Sequence, residues 1–133
     1  MDKTKPRLKV EITKDVHGFS THEPIMFNEI TASDGFGVHN GNKLFTVEVK
    51  GSYLVTYSVG IPIESGADVY LFVNGSEVEK STSGAIDRFK SNFTIDFNKG
   101  DYLALCTKNH TEKIKTESGM LSIILLTAND FSI

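Results

Sequence analysis

Residues 44–59 read LFTVEVKGSYLVTYSV, and the alternation within them decides the fold. Phe45, Val47 and Val49 share one face against Thr46 and Glu48. Beyond Lys50-Gly51, Tyr53, Val55, Tyr57 and Val59 share a face against Leu54, Thr56 and Ser58. A period of two puts alternate side chains on opposite faces of an extended chain, so both runs read as strands with one face in a core. Their β-branched and aromatic residues suit a pleated, half-buried surface.

The same period continues outward from this stretch. In ADVYLFVNG, Val69, Leu71 and Val73 oppose Tyr70 and Phe72; in KSNFTIDFNKG, Phe93, Ile95 and Phe97 oppose Thr94 and Asp96. DYLALCTKN and GMLSIILLTA complete the set. Asn40-Gly41, Lys50-Gly51, Asn74-Gly75, Ser83-Gly84 and Asn98-Lys99-Gly100-Asp101 supply the tight turns or positive φ values that hairpins need. Only residues 84–92, GAIDRFKSN, suggest a turn of helix. Many short strands separated by regular turns predict an all-β two-sheet sandwich or barrel. No repeat or linker divides the 133 residues, a length that one core can hold together.

The last run, Leu121 to Leu126, is apolar on both faces except for Ser122. Each sheet of a small sandwich has one face in the core, so the pattern favours a second face that meets another chain over apolar residues simply tolerated at the surface. The balance of 14 basic against 17 acidic residues argues against a protein that grips phosphate backbones by bulk charge, and no nucleic-acid partner is expected. A single Cys excludes a disulfide scaffold and a zinc site closed by thiolates. No apolar run is long enough to span a membrane. The opening MDKTKPRLKVEIT carries no apolar signal core, so export by the usual leader is not expected.

Chemistry-bearing motifs are sparse. GFGVHNG (Gly35–Gly41) lacks the third glycine and the following helix of a dinucleotide loop. HEPIM breaks off a zinc-protease motif at Pro24. His17, His22, His39 and His110 fall in expected loops without ligand spacing. Asp34, Glu64, Asp68 and Asp130 form no contiguous calcium cage. Cys106, alternating with Ala104, reads as a small packed hydrophobe. Asn74, Asn92 and Asn109 head acceptor tripeptides for glycosylation, a pattern this composition generates by chance. Lys3, Lys5, Arg7 and Lys9 read as a solvated arm or a lysine-guarded edge strand. No catalytic residue, metal or cofactor is expected.

In their order along the chain, these motifs resemble the globular head of the C1q/tumour-necrosis-factor superfamily. Phe45, five residues, then Gly51-x-Tyr53-x-Val55-x-Tyr57 is similar to the family's F-x5-G-x-Y-x-F-x-Y signature, with Val55 in place of an aromatic and Val38 upstream where an aromatic or Leu is usual. PIMFNEI (Pro24–Ile30) resembles the preceding early strand, and VYLFVNGSEV resembles the Asn-Gly hairpin. Gly100-Asp101 matches the late corner, and Ser118-Gly119-x-Leu121 the closing strand. The resemblance covers about Pro24 to Ala128. It implies a ten-stranded jelly roll over residues 1–133, with 1–6 as a flexible arm, assembled as a non-enzymatic homotrimer. Tyr53, Val55 and Tyr57 would then fill the core, while Leu54, Thr56, Ser58, Ile124 and Leu126 meet the neighbouring subunit. The departure at Val38 and the lack of a Gly-X-Y stalk imply a distant member, bacterial or phage, and the chain is also similar in style to the C-terminal domains of bacterial spore-surface collagen-like proteins. The expected setting is a spore, cell or virion surface, with a protein or carbohydrate ligand held by loops. A phage tail-tip domain binding host glycans is the alternative, ahead of a small cupin-like jelly-roll enzyme.

Overall fold

A computed structural model describes residues 5–14, 18, 20–61, 66–82, 89–114, 116 and 118–128. Among them are ten strands: β1 (Arg7–Ile12), β2 (Glu29–Asp34), β3 (Phe36–His39), β4 (Leu44–Val47), β5 (Gly51–Val59), β6 (Asp68–Val73), β7 (Ser76–Glu77), β8 (Phe89–Phe97), β9 (Tyr102–Lys108) and β10 (Gly119–Ala128). They form two five-stranded antiparallel sheets, ordered β2-β1-β10-β5-β8 and β3-β4-β9-β6-β7. Neighbours within a sheet are mostly distant in sequence, which is the jelly-roll pattern.

The alternation read from residues 51–59 is the burial pattern of β5. Tyr53, Val55, Tyr57 and Val59 are fully buried, and the residues between them are half-buried on the opposite face. Against the first group pack Leu8 and Val10 of β1, Phe45 of β4, Leu71 of β6, Leu103 and Leu105 of β9, and Leu121 and Ile123 of β10. Tyr53 lies edge-on to Phe36 at 5.7 Å between ring centroids and tilted to Phe97 at 5.5 Å. A buried tyrosine needs a partner for its hydroxyl. Tyr53 donates to the Val49 carbonyl, and the Tyr57 hydroxyl lies between the carbonyls of Val69, at 3.0 Å, and Ser81.

Two of the expected hairpins exist. Asn74 and Gly75, at φ 50° and 91°, make the two-residue turn that pairs Val73 with Ser76. Residues 40–43 close β3 onto β4, pairing His39 with Leu44. Lys50-Gly51 and Asn98–Asp101, by contrast, join strands of different sheets. Gly51 opens β5 as a buried residue rather than a left-handed one. At the second corner Gly100 has φ 94°, and the Asp101 carboxylate accepts the Asn98 N–H at 2.8 Å.

Ser83-Gly84 lies outside the described residues, as does most of the suggested helical turn. Its end, Phe89–Asn92, is strand, and the one turn of 3-10 helix among the described residues is Glu79–Ser81. The lysine-guarded edge is also corrected: β1 lies inside its sheet, between β2 and β10. Residues 1–4 of the expected arm are not described, while the Pro6 carbonyl accepts the Leu125 N–H at 3.1 Å. Gly35 turns beside Pro6 at φ 77°, where a Cβ would sit 2.8 Å from the proline Cβ, so a side chain is excluded by both conformation and space.

Candidate functional site

Each sheet has an outward face, and the two differ. On the first sheet the register lays out cross-strand rows. Arg7, Ile124, Leu54 and Thr94 form one; Lys9, Ser122, Thr56 and Asn92 the next; Glu11, Met120, Ser58 and Lys90 the third. Leu54, on β5, and Ile124 and Met120, on the central strand β10, are half-exposed. The register shifts between Leu125 and Thr127, and this bulge leaves Leu126 48% exposed beside them. Polar residues flank them on both sides: Arg7, Lys9 and Glu11 on β1, and Lys90, Asn92, Thr94 and Asp96 on the edge strand β8. The Ser52 hydroxyl donates to Asp96 at 2.5 Å. A shallow depression lined by Thr56, Tyr57, Ser58, Lys90, Ser91 and Asn92 lies toward the β8 rim.

Every residue named from the family resemblance can be located. Leu54, Thr56, Ser58, Ile124 and Leu126 stand together on this outward face. Phe45, Gly51, Tyr53, Val55 and Tyr57 are buried beneath it, and Gly100, Asp101 and Gly119 lie at the corner and at the start of β10. Met120 belongs to the same face and was not singled out, although its even spacing from Ser122 and Ile124 carried the signal.

On the outward face of the second sheet the apolar residues are mostly buried, with Tyr102 at its margin 38% exposed. Tyr70, Ala104 and Cys106 are buried there, with Leu44 and Phe72 packed against them. Residues 22–25 run along β9 where β4 does not reach. The His22 N–H donates to the Thr107 carbonyl at 2.6 Å, Pro24 bridges Cys106, and the Ile25 N–H donates to the Leu105 carbonyl at 2.7 Å. His22 Nδ1 lies 2.8 Å from the Tyr70 hydroxyl, and Lys108 Nζ sits 5.6 Å above the Tyr70 ring. Lys108 also grips both oxygens of Glu77, at 2.8 and 2.7 Å, while the Thr82 hydroxyl donates to one of them.

These surroundings alter the titration of the cluster. Burial raises the Tyr70 hydroxyl well above the ordinary phenol range, with the Cys106 and Glu77 charges adding to it. Burial pushes the Cys106 thiol up to about 12, so it packs as an inert hydrophobe. Hydrogen bonds from Lys108 and then Thr82 hold the Glu77 carboxyl below its usual value.

The remaining candidates stay apart. His39 ends β3 rather than lying in a loop, its Nε2 3.1 Å from the Thr46 hydroxyl. His110 is buried with both ring nitrogens engaged, by Thr107 at 2.7 Å and the Glu112 carbonyl at 2.8 Å. Asp34 ends β2, and Asp68 accepts from the Asn109 amide at 2.8 Å. His17, Glu64 and Asp130 lie outside the described residues. Among the described residues no three His, Cys, Asp or Glu side chains group to hold a metal, and no helix is long and apolar enough to cross a membrane.

No protein-family model matches the chain, and no curated protein matches it by sequence. Solved structures do match. The globular domain of zebrafish complement 1qA protein is 14% identical, with 94% of this chain and 100% of that one covered at a TM-score of 0.67. The Eiger TNF of S. frugiperda is 12% identical over 97% and 99% of the two chains, at 0.66. Murine APRIL is 13% identical over 90% and 99%, at 0.65. At such identities the likeness is one of fold, and it extends over both sheets.

Proposed function

We propose that this chain, whose fold is the C1q/tumour-necrosis-factor-like jelly roll, is a non-enzymatic homotrimeric module for assembly or recognition at a surface, whether of a spore, a cell or a virion. One observation carries the reading: the first sheet presents Leu54, Met120, Ile124 and Leu126 as a half-exposed apolar group at the centre of a polar-rimmed face. Removing a Leu or Ile side chain from water is worth roughly 1.5–3 kcal/mol when burial is complete. Three copies each covering such a face gain severalfold that amount, and a ring of three closes without leaving an open end. Apolar centre and polar rim together are the anatomy of a specific protein interface. In this reading the partner is the chain itself, and the loops at the ends of the sandwich are left to meet a protein or carbohydrate ligand.

Light scattering after size exclusion tests the proposal. The expected mass is near three times 14.7 kDa. A monomer across the accessible concentration range would sink it.

A further inference from the structure

We propose that Asn40 is a site of spontaneous, water-consuming deamidation, and that Asn74, in the same Asn-Gly context, is protected. The two dipeptides, Asn40-Gly41 and Asn74-Gly75, are equivalent in sequence: each is followed by a residue without a Cβ to obstruct the backbone nitrogen. Both asparagines are exposed and both sit in left-handed turns, at φ 53° and 50°. What separates them is the side chain.

The Asn74 amide nitrogen donates to Asp101 Oδ1 at 2.9 Å, and its oxygen accepts the Tyr102 N–H at 2.9 Å. The leaving nitrogen and the carbonyl that must be attacked are therefore both held, by residues of the neighbouring corner and of β9. The Asn74 N–H also donates to the Tyr102 carbonyl at 2.9 Å, tying the turn itself down. Asn40 has no side-chain partner among the described residues. Its neighbour Gly41 has φ 70°, and a Cβ built on it meets nothing within 4 Å. The turn is bridged by the Lys43 N–H on the His39 carbonyl at 3.2 Å and belongs to a hairpin of two four-residue strands, one of them at a sheet edge. Exposed turns on short edge strands belong to the part of a fold that opens most readily.

In the reaction the Gly41 backbone nitrogen, having lost its proton, attacks Asn40 Cγ. The new C–N bond closes a five-membered imide, the Cγ–Nδ2 bond breaks, and the side-chain nitrogen leaves as ammonia after taking up a proton. Water then opens the imide at either carbonyl, giving aspartate or isoaspartate at position 40. The net change is amide plus water to carboxylate plus ammonium, with nothing oxidised or reduced. Ring closure requires the turn to leave its left-handed geometry. At position 40 that motion loosens only the turn, whereas at position 74 it must also break two side-chain hydrogen bonds, which slows the reaction by about tenfold or more. The isoaspartate product carries an extra backbone carbon in a tight turn, and either product adds a negative charge to the β3–β4 end of the sandwich.

The test is to incubate the folded protein in mildly alkaline buffer and follow both positions by peptide mass mapping, using a fragmentation method that distinguishes isoaspartate. A denatured sample serves as the reference in which both sites are free. The expected result is conversion at Asn40 with Asn74 largely intact in the folded chain, and comparable conversion of both in the denatured one. Asp101→Ala, which frees the Asn74 amide nitrogen, should raise conversion at position 74 and leave position 40 unchanged. Equal rates at the two sites of the folded wild-type chain would overturn the proposal. So would faster conversion at Asn74, or an unreacted Asn40 in folded protein while the denatured chain converts.

Discussion

The two outward faces of this sandwich are made of the same kind of strand and reach opposite outcomes. On the second sheet, Tyr70, Ala104 and Cys106 are buried with Leu44 and Phe72 packed against them, residues 22–25 extend the sheet beside β9 by backbone hydrogen bonds, and His22 meets Tyr70. On the first sheet, Leu54, Ile124 and Leu126 stay partly open to solvent. The second sheet buries most of its outward apolar group within the chain, Tyr102 excepted, and the first does not; the proposed assembly would cover the first. The contrast is testable in its parts: changes to the open face should alter mass and spare the fold, while changes to the closed face should do the reverse.

The largest expected effect comes from the open face. Leu54→Glu or Leu126→Glu places a carboxylate among the central apolar residues. In a buried interface an unpaired charge costs about 3 kcal/mol or more per copy. The mass by light scattering should fall to 14.7 kDa with the β-sheet circular dichroism unchanged. An oligomer that survives both substitutions removes this face from the interface.

On the closed face, Tyr70→Phe removes the hydroxyl that meets His22 and leaves the exposed imidazole to water. The loss is about 1 kcal/mol, seen as a lower denaturation midpoint, with no change in oligomer mass. A third measurement reads the burial of Cys106 directly. Cys106 is 1% exposed and its thiol is pushed up to about 12, so alkylation of the folded protein should be negligible until denaturant opens the sheet. Tyr70→Phe should bring labelling forward to lower denaturant. Rapid labelling of the native wild-type chain would show that this group is not packed closed.

How much of this was legible beforehand follows the same division. The strands could be read because a period of two is a local property, visible in residues 51–59 without knowledge of what packs on them. The outward set Leu54, Thr56 and Ser58 followed from that alternation. Which sheet a strand joins is not local: Lys50-Gly51 looks like a hairpin turn because a corner between sheets also wants a small residue. In β1, Arg7 and Lys9 gave an interior strand the look of an edge, since charge marks an outward face as readily as an edge. The burial of Cys106 left only an indirect trace, an aromatic, an alanine and a cysteine on the side of their strands that should have been polar. Nothing in residues 20–25 themselves announces what they lie against.

The smallest effect concerns the ion pair at the margin of the closed face. Lys108 and Thr82 bind Glu77 in its ionised form, so its carboxyl lies below the ordinary carboxylate range in the folded chain and within that range in the unfolded one. The stabilisation is therefore complete above the ordinary range and is lost as the pH falls through the folded value. Both side chains remain about a quarter exposed, at 23% and 28%, so water screens the pair and its worth is about 0.5 kcal/mol. Glu77→Gln should lower the melting temperature slightly at neutral pH and converge with wild type in acid, leaving the oligomer mass untouched. If the variant instead dissociates the oligomer, the closed face takes part in assembly and the contrast between the two faces fails.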